Sequence, residues 1–227
     1  MQPPRMRVAL IGHSAAGSRL ADGMQQAGHD VETLADLGAA GEYAAVILAV
    51  PEKSLDRMVE HMAPTVVSGQ IYIHTCLSRG VQALDEVETR GAVVVAAAPV
   101  DDKTWVVSTL DELGETIGGL IVGEMGASAI ALSDAERGEL AAQLEYVTML
   151  NHARTAAFDA LVSRLGVEDR ESLTLPQLPV DTDDVVAAFG HISDPGLRRS
   201  YVDIARRVGE VEDNEMLEMW ALQEENR

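Results

Sequence analysis

The chain has 227 residues, 24% of them charged, with 17 Lys+Arg against 37 Asp+Glu and a single cysteine. A formal net charge of −20 excludes a nucleic-acid binder, because neutralising phosphates takes clustered Lys and Arg; it argues equally against an anionic membrane surface. Hydrophobic residues make up 47% of the chain, an ordinary globular share, and the length suits one large domain or two small ones with an ample core.

Cys76 cannot form an intrachain disulfide on its own, which fits a reducing cytoplasm. The longest apolar run, residues 92–100, is far short of the roughly 20 residues a bilayer span needs. The opening Met-Gln-Pro-Pro-Arg-Met-Arg lacks the apolar stretch of a signal peptide. The expectation is a cytoplasmic protein without membrane contact.

After Arg7, residues 8–11 form an uninterrupted apolar run that Gly12 ends, the pattern of a buried strand. Residues 15–27 carry Leu20, Met24 and Ala27 at helical spacing, and Gly28 stops them. Strands are predicted over 30–34 and 44–50; the second is apolar throughout, as a strand covered on both faces should be. Pro51 ends it, and 53–62 reads as a helix. A strand over 70–75, a helix over 80–89 and a buried strand over 92–97 follow. Such strand–helix alternation, at a spacing of about 20–25 residues, implies βαβ units and a parallel sheet, because parallel strands need a crossover connection. Beyond residue 100 the pattern is mixed: 108–113 reads as a short helix and 119–123 as a last strand.

Ser133-Asp134-Ala135-Glu136 has the pattern of a capping box, in which the serine oxygen accepts from the backbone and the glutamate reaches back. A helical pattern then runs to Leu165, where Gly166 stops it; at 1.5 Å per residue that helix is roughly 50 Å long, too long for one crossover in a small sheet. Pro176 and Pro179 mark a loop. Helices are predicted over 183–189, 197–208 and 215–225, the second opened by Asp194-Pro195. The last carries Met216, Leu217, Met219, Trp220 and Leu222 as an apolar side, free to pack on its own domain or on a partner.

Gly12-His13-Ser14-Ala15-Ala16-Gly17 follows the first strand and opens the first helix. In a dinucleotide fold the first glycine of such a turn makes the bend, the second admits the pyrophosphate and the third lets helix and strand approach. The helix N-terminus then holds the phosphates. Here the middle position is Ser14, whose side chain intrudes but whose hydroxyl can donate to phosphate; a tight turn with no ligand is the plainer alternative. An acid about 20 residues after the first glycine should bind the adenosine ribose. Glu32 has the right count, but strand alternation favours Asp36. No arginine follows that strand before Arg57, so a 2′-phosphate lacks a partner, which leans toward NAD over NADP. The predicted fold class is therefore α/β: an N-terminal Rossmann-type, doubly wound, mostly parallel sheet over 1–130, with a C-terminal all-helical domain over 131–227.

Val8-Ala9-Leu10-Ile11-Gly12, Ala27-Gly28-His29-Asp30-Val31 and Val46-Ile47-Leu48-Ala49-Val50-Pro51 together resemble the 6-phosphogluconate-dehydrogenase-like family of NAD(P)-binding Rossmann proteins, which includes β-hydroxyacid dehydrogenases and ketopantoate reductases. The resemblance is good over 6–100, loose over 133–166 and fades beyond Gly166. It implies a Rossmann domain, a helical domain for substrate and dimerisation, and an active site between them. It implies that Ala49, Val50 and Pro51 line the cofactor near the nicotinamide ribose and that Thr75 sits close to nicotinamide or substrate. With the turn residues Gly12, His13, Ser14, Ala15, Ala16 and Gly17, and with Asp36, these form the expected cofactor site. The implied activity is NAD(P)-dependent oxidation or reduction of a small carbonyl or hydroxy compound, and the implied assembly is a homodimer.

One departure bears on chemistry. Hydroxyacid dehydrogenases of the family use a lysine with an asparagine four residues later on the long helix. If Asn151 takes the asparagine's place, the lysine's is taken by Val147, which cannot transfer a proton, and the chain's only lysines are Lys53 and Lys103. Histidine suits acid–base work near neutral pH. His152 is the first candidate, with Asn151 to orient a carbonyl and Arg154 to pair with a carboxylate; the alternative is a polar pair on an exposed helix face. His74, at a strand's carboxyl end, is the second; it could instead satisfy a backbone group in the core. Cys76 reads as inert packing. No histidine or cysteine spacing suggests a metal site. A second functional class stays open: a catalytically silent nucleotide-binding or scaffold protein with a degenerate Rossmann site.

Overall fold

The computed structural model describes residues 5–166 and 180–226; the predicted loop at Pro176 and Pro179 lies outside them. The described residues divide into two compact units, Met1–Phe158 and Asp159–Arg227.

The first unit is built on one seven-stranded sheet in the order β2-β1-β3-β4-β5-β6-β7. The strands are β1 (Arg7–Gly12), β2 (Asp30–Thr33), β3 (Ala45–Ala49), β4 (Ile71–His74), β5 (Val93–Pro99), β6 (Thr104–Thr109) and β7 (Ser128–Ala131). The first five are mutually parallel, β6 is antiparallel to β5, and β7 is parallel to β6. The helices of this unit are α1 (Ala15–Ala27), α2 (Glu52–Met62), the single turn α3 (Asp85–Glu88), α4 (Glu112–Glu124) and most of α5 (Asp134–Leu165).

Strand periodicity builds two cores from one sheet. Val46 and Leu48 of β3 face one layer with Leu55, Val59 and Met62 of α2. Ala45, Ile47 and Ala49 of the same strand face the other, with Leu20 and Met24 of α1 and Ile121 and Val122 of α4. Successive side chains of a strand point to opposite faces, so a strand covered on both must be apolar throughout, as β3 is. Gly28, at φ 104°, closes α1 in the left-handed conformation, its amide bonded to the last turn.

Three sequence expectations are corrected. Residues 108–113 are not a helix: Ser108 and Thr109 end β6, and the helix begins only after Asp111, whose side chain accepts from the Gly114 amide at 2.8 Å. Thr104-Trp105-Val106-Val107 is a β-branched and aromatic run that pairs with β5. Residues 119–123 are not a strand but lie inside α4. Gly119 and Gly123, which bounded the expected strand, would meet nothing within 4 Å with a Cβ, whereas one on Gly118 would fall 2.8 Å from Val107 Cγ1 and one on Gly114 3.0 Å from Thr109 Cβ. The predicted helix over 80–89 is a 3-10 turn, Val81–Leu84, running into α3. The exposed strand β7 carried no sequence signal.

At the start of α5 the Glu136 carboxylate accepts from the Ser133 amide at 3.0 Å, the reaching-back half of the expected box. The Ser133 hydroxyl donates to that carboxylate rather than accepting from the backbone. These bonds hold the Glu136 carboxyl below its ordinary pKa. Arg137 is the one buried residue of this 32-residue helix.

The second unit contains α6 (Thr182–Phe189), α7 (Pro195–Val211) and α8 (Glu215–Glu225). Asp194 caps α7, with Pro195 in the first turn as expected. Its core is Phe189, Val202, Ala205, Leu217 and Ala221, with Trp220 edge-on to Phe189 at 5.2 Å. The apolar side of α8 thus packs within its own unit through Leu217 and Ala221, while Met216 and Met219 stay exposed.

Candidate functional site

The β1–α1 turn is made by what its residues lack. Gly12 sits at φ +89°, and a Cβ there would fall 2.4 Å from the Ala49 carbonyl oxygen. A Cβ on Gly17 would fall 2.2 Å from Ala49 Cβ. Both glycines are required by close approach to β3, which fixes the turn against Ala49. The Ser14 amide donates to the Ala49 carbonyl at 2.8 Å. Ser14 Oγ accepts from the Gly17 amide at 3.2 Å, capping α1, and lies 3.3 Å from Thr75 Oγ1 just past β4. The Ser18 amide donates to the Ser14 carbonyl.

The first amides of a helix have no partner within it. Gly17 and Ser18 are thus satisfied, whereas the Ala15 and Ala16 amides have no acceptor among the described residues. They point along the positive end of the helix dipole, the arrangement that binds phosphate. The turn lies where the strand order reverses between β1 and β3, the usual position of a dinucleotide's pyrophosphate. The residues present therefore fit an NAD(P) pyrophosphate at Ala15 and Ala16, with Ser14 tolerated because its side chain turns back to cap the helix.

The remaining predicted cofactor residues distribute around this turn. His13 is exposed on it. Asp36 is exposed past the end of β2, its Oδ1 accepting from the Gly38 amide at 3.0 Å. Glu32 is engaged instead, accepting from the Tyr43 hydroxyl at 2.7 Å with Arg7 at 3.6 Å. Val50 is buried behind the turn, and Pro51 opens α2.

His74 is fully buried with both ring nitrogens engaged. The Cys76 amide donates to Nδ1 at 3.2 Å, so Nε2 carries the proton and donates to the Gly80 carbonyl at 2.9 Å. Burial lowers its pKa to about 4, keeping the ring neutral. Cys76 donates through Sγ to the Val50 carbonyl at 3.4 Å, and burial pushes its thiol up to about 11. Asn151 and His152 are exposed on α5 and make no hydrogen bond with a described residue. Among the described residues no group of three or more His, Cys, Asp and Glu could hold a metal.

The sequence reading missed Asp134 and Arg137. The guanidinium of Arg137 is wholly inaccessible. It donates to the Ala96 carbonyl at 3.3 Å, to Ser108 Oγ at 3.0 Å and to the Cys76 carbonyl at 3.2 Å, and its Nε has no partner. Burial lowers its pKa to about 10. Asp134, one turn earlier, accepts from the Val81 and Gln82 amides at 2.8 and 3.1 Å. A Cβ on Gly80 would overlap that carboxylate. The available signal was an arginine inside a capping sequence, but nothing local gave its direction.

Residues 133–224 match the family model of the 6-phosphogluconate dehydrogenase C-terminal domain-like group, and residues 33–99 match that of a Rossmann-like domain. The chain thus carries a stretch like a Rossmann-like domain followed by one like the 6-phosphogluconate dehydrogenase C-terminal domain. No protein of curated function matches its sequence. Among solved structures, the chain resembles a Bacteroides fragilis protein named as a candidate NADP oxidoreductase, at 12% identity and TM-score 0.70, over 91% of this chain and 98% of that one. A semialdehyde dehydrogenase NAD-binding protein from Cupriavidus necator, in complex with calcium and NAD, matches at 15% identity and TM-score 0.52, over 97% and 99%. Prephenate dehydrogenase from A. aeolicus, with hydroxyphenyl propionate and NAD+, matches at 13% and 0.52, over 100% and 88%. At these identities the likeness is one of fold. Among the described residues no helix is long and apolar enough to cross a membrane.

Proposed function

We propose that the chain is an NAD(P)-dependent oxidoreductase of a small carbonyl or hydroxy compound. The observation that carries this reading is the pair of unclaimed amides, Ala15 and Ala16, at a glycine turn where the sheet's strand order reverses. Bound there, the nicotinamide cofactor supplies or accepts the hydride.

The chain's own residues do the rest. Gly12 and Gly17 keep the turn low against β3, and the Ala15 and Ala16 amides hold the pyrophosphate. Asp36 takes the adenosine ribose hydroxyls, and with no arginine following β2 before Arg57 this favours NAD. Thr75 bounds the nicotinamide end with Ala49, Val50 and Pro51. His152 holds or moves the proton at the substrate oxygen, Asn151 orients that oxygen, and His74 supports the wall from within. The division of labour is a cofactor domain over 1–130 and a substrate and dimerisation domain over 131–227.

The assembly we propose is a cytoplasmic homodimer. Its support is α5, which exposes Tyr146, Val147, Met149 and Leu150, an apolar stretch that a second copy would cover. A second reading, a catalytically silent nucleotide binder, is favoured by one observation: Val147 stands where the resemblance implies the proton-transferring lysine.

The test is a panel of small carbonyl acids, aldehydes and hydroxy acids, assayed by nicotinamide absorbance with wild type and His152→Ala. Turnover lost in His152→Ala supports the oxidoreductase reading and its acid. Turnover unchanged by that substitution removes His152 from the site. Cofactor binding without turnover on any member favours the silent binder.

A further inference from the structure

Two segments lie together at the carboxyl ends of the parallel strands. One is the glycine turn. The other is the loop from Thr75 to Gln82, whose first residue places its hydroxyl 3.3 Å from Ser14. This loop is held at both ends by one turn of a distant helix. Arg137 binds the Cys76 carbonyl at its start, and Asp134 binds the Val81 and Gln82 amides at its finish. His74 ties the Gly80 carbonyl from beneath.

The physical cost of this arrangement is high. A buried guanidinium without a carboxylate partner gives up its hydration for carbonyl and hydroxyl acceptors, and apolar packing of similar volume would be at least as stabilising. No carboxylate lies within ion-pair distance of Arg137 among the described residues, and its Nε stays unpaired. The nearby Asp134 charge offsets that burial only in part, so stability is a weak reason for an arginine here. The fork of donors instead specifies geometry: it reaches Cys76 after β4, Ala96 in β5 and Ser108 in β6 from one planar group. In addition, Arg137 is the one buried residue of α5, so the clamp is the attachment of that helix to the sheet.

We propose that Arg137 and Asp134 are positioning residues for the nicotinamide half of the cofactor: by clamping the Thr75–Gln82 loop to α5 they fix Thr75 opposite Ser14. The inference rests on the dinucleotide reading of the glycine turn. It concerns the half of the ligand on the β3–β4 side of the switch point, whereas in that reading the glycine turn holds the pyrophosphate and Asp36 the adenosine ribose.

The nicotinamide ring can be measured apart from the rest, because ADP-ribose carries the adenosine, the pyrophosphate and the second ribose and lacks only that ring. Calorimetry of the full chain with ADP-ribose and with NADH gives the preference for NADH. Arg137→Lys and Arg137→Met should lose at least tenfold of that preference while ADP-ribose affinity stays within twofold. The enhanced fluorescence of bound NADH, which reports the nicotinamide's surroundings, should fall with it. Asp134→Asn and Gly80→Ala, which disturb the far end of the loop, should act in the same direction more weakly, and they carry the test if an Arg137 variant fails to fold. A purely structural Arg137 would lower ADP-ribose and NADH affinity together, in step with melting temperature, and would overturn the proposal. So would an unchanged preference in all four variants. A wild-type chain that binds neither ligand would overturn both this proposal and the dinucleotide reading; one that binds both with an unchanged preference in the variants would overturn this proposal alone.

Discussion

The glycine turn and the Thr75–Gln82 loop meet at Ser14 and Thr75 and are built by opposite means. The turn is local: six consecutive residues, two of them without side chains, folded against one alanine of β3. The loop is assembled from afar: its bonds to Asp134 and Arg137 span more than fifty residues of sequence. A site made from absent side chains and helix ends leaves a mark in a single sequence. A site made from long-range polar contacts does not.

The difference can be broken first at the turn. Gly12→Ala combines left-handed strain, worth about 2 kcal/mol, with a methyl driven into a buried backbone carbonyl, worth about 2 kcal/mol more. The chain should lose about 4 kcal/mol of stability by urea denaturation, together with measurable cofactor binding. An equal loss at half-buried Gly119, where a Cβ meets open space, would show that the turn's geometry is not the cause.

The loop should answer to pH. His74 has a folded pKa of about 4 against an ordinary value of 6.5, so the unfolded chain binds more protons between those values. Stability contributed by the neutral ring is complete above about pH 6.5 and is lost as pH falls toward about 4, by about 3 kcal/mol in all. Urea midpoints across that range should fall steeply for wild type, and this part of the slope should vanish in His74→Gln. An identical slope in the variant would assign the acid sensitivity to other groups.

Ser14 joins the two regions and gives the smallest effect. Ser14→Ala removes the cap of α1 and should cost about 1 kcal/mol, whereas Ser14→Gly should cost only a few tenths. Ser14→Gly also restores the open middle position of the turn. Cofactor affinity should therefore be retained or raised in Ser14→Gly, and lowered in Ser14→Ala through fraying of the helix start. Equal affinities in both variants would mean that the cap plays no part in binding.

Much of the sheet was legible because β1, β3 and β5 are continuous apolar runs and α1 carries both its turn glycine and its stop. Ser14 was legible as an intrusion, though not as the helix cap that turns its side chain aside. The region after residue 100 was not legible. Four glycines interrupt the helical pattern of α4 and from sequence alone look like punctuation, although Gly114 and Gly118 serve close packing against β6. Asp111, the capping signal that marks the true helix start, was overshadowed by them. Strand β7 is exposed at all four positions, so no apolar periodicity announced it. Arg137 was missed for a different reason: the direction of a side chain on a helix with almost no amphipathic contrast is decided by its tertiary partners.

The central claim is that Ala15 and Ala16 offer their amides to a dinucleotide pyrophosphate. Calorimetric titration of the purified chain with NADH, beside Gly12→Ala, tests it most directly. The account predicts saturable binding of one NADH per chain in the wild type, with a stability gain of about 2.7 kcal/mol at a hundred times the dissociation constant, and no binding in the variant. Absence of binding and of any thermal shift with both NADH and NADPH in the wild type would contradict it.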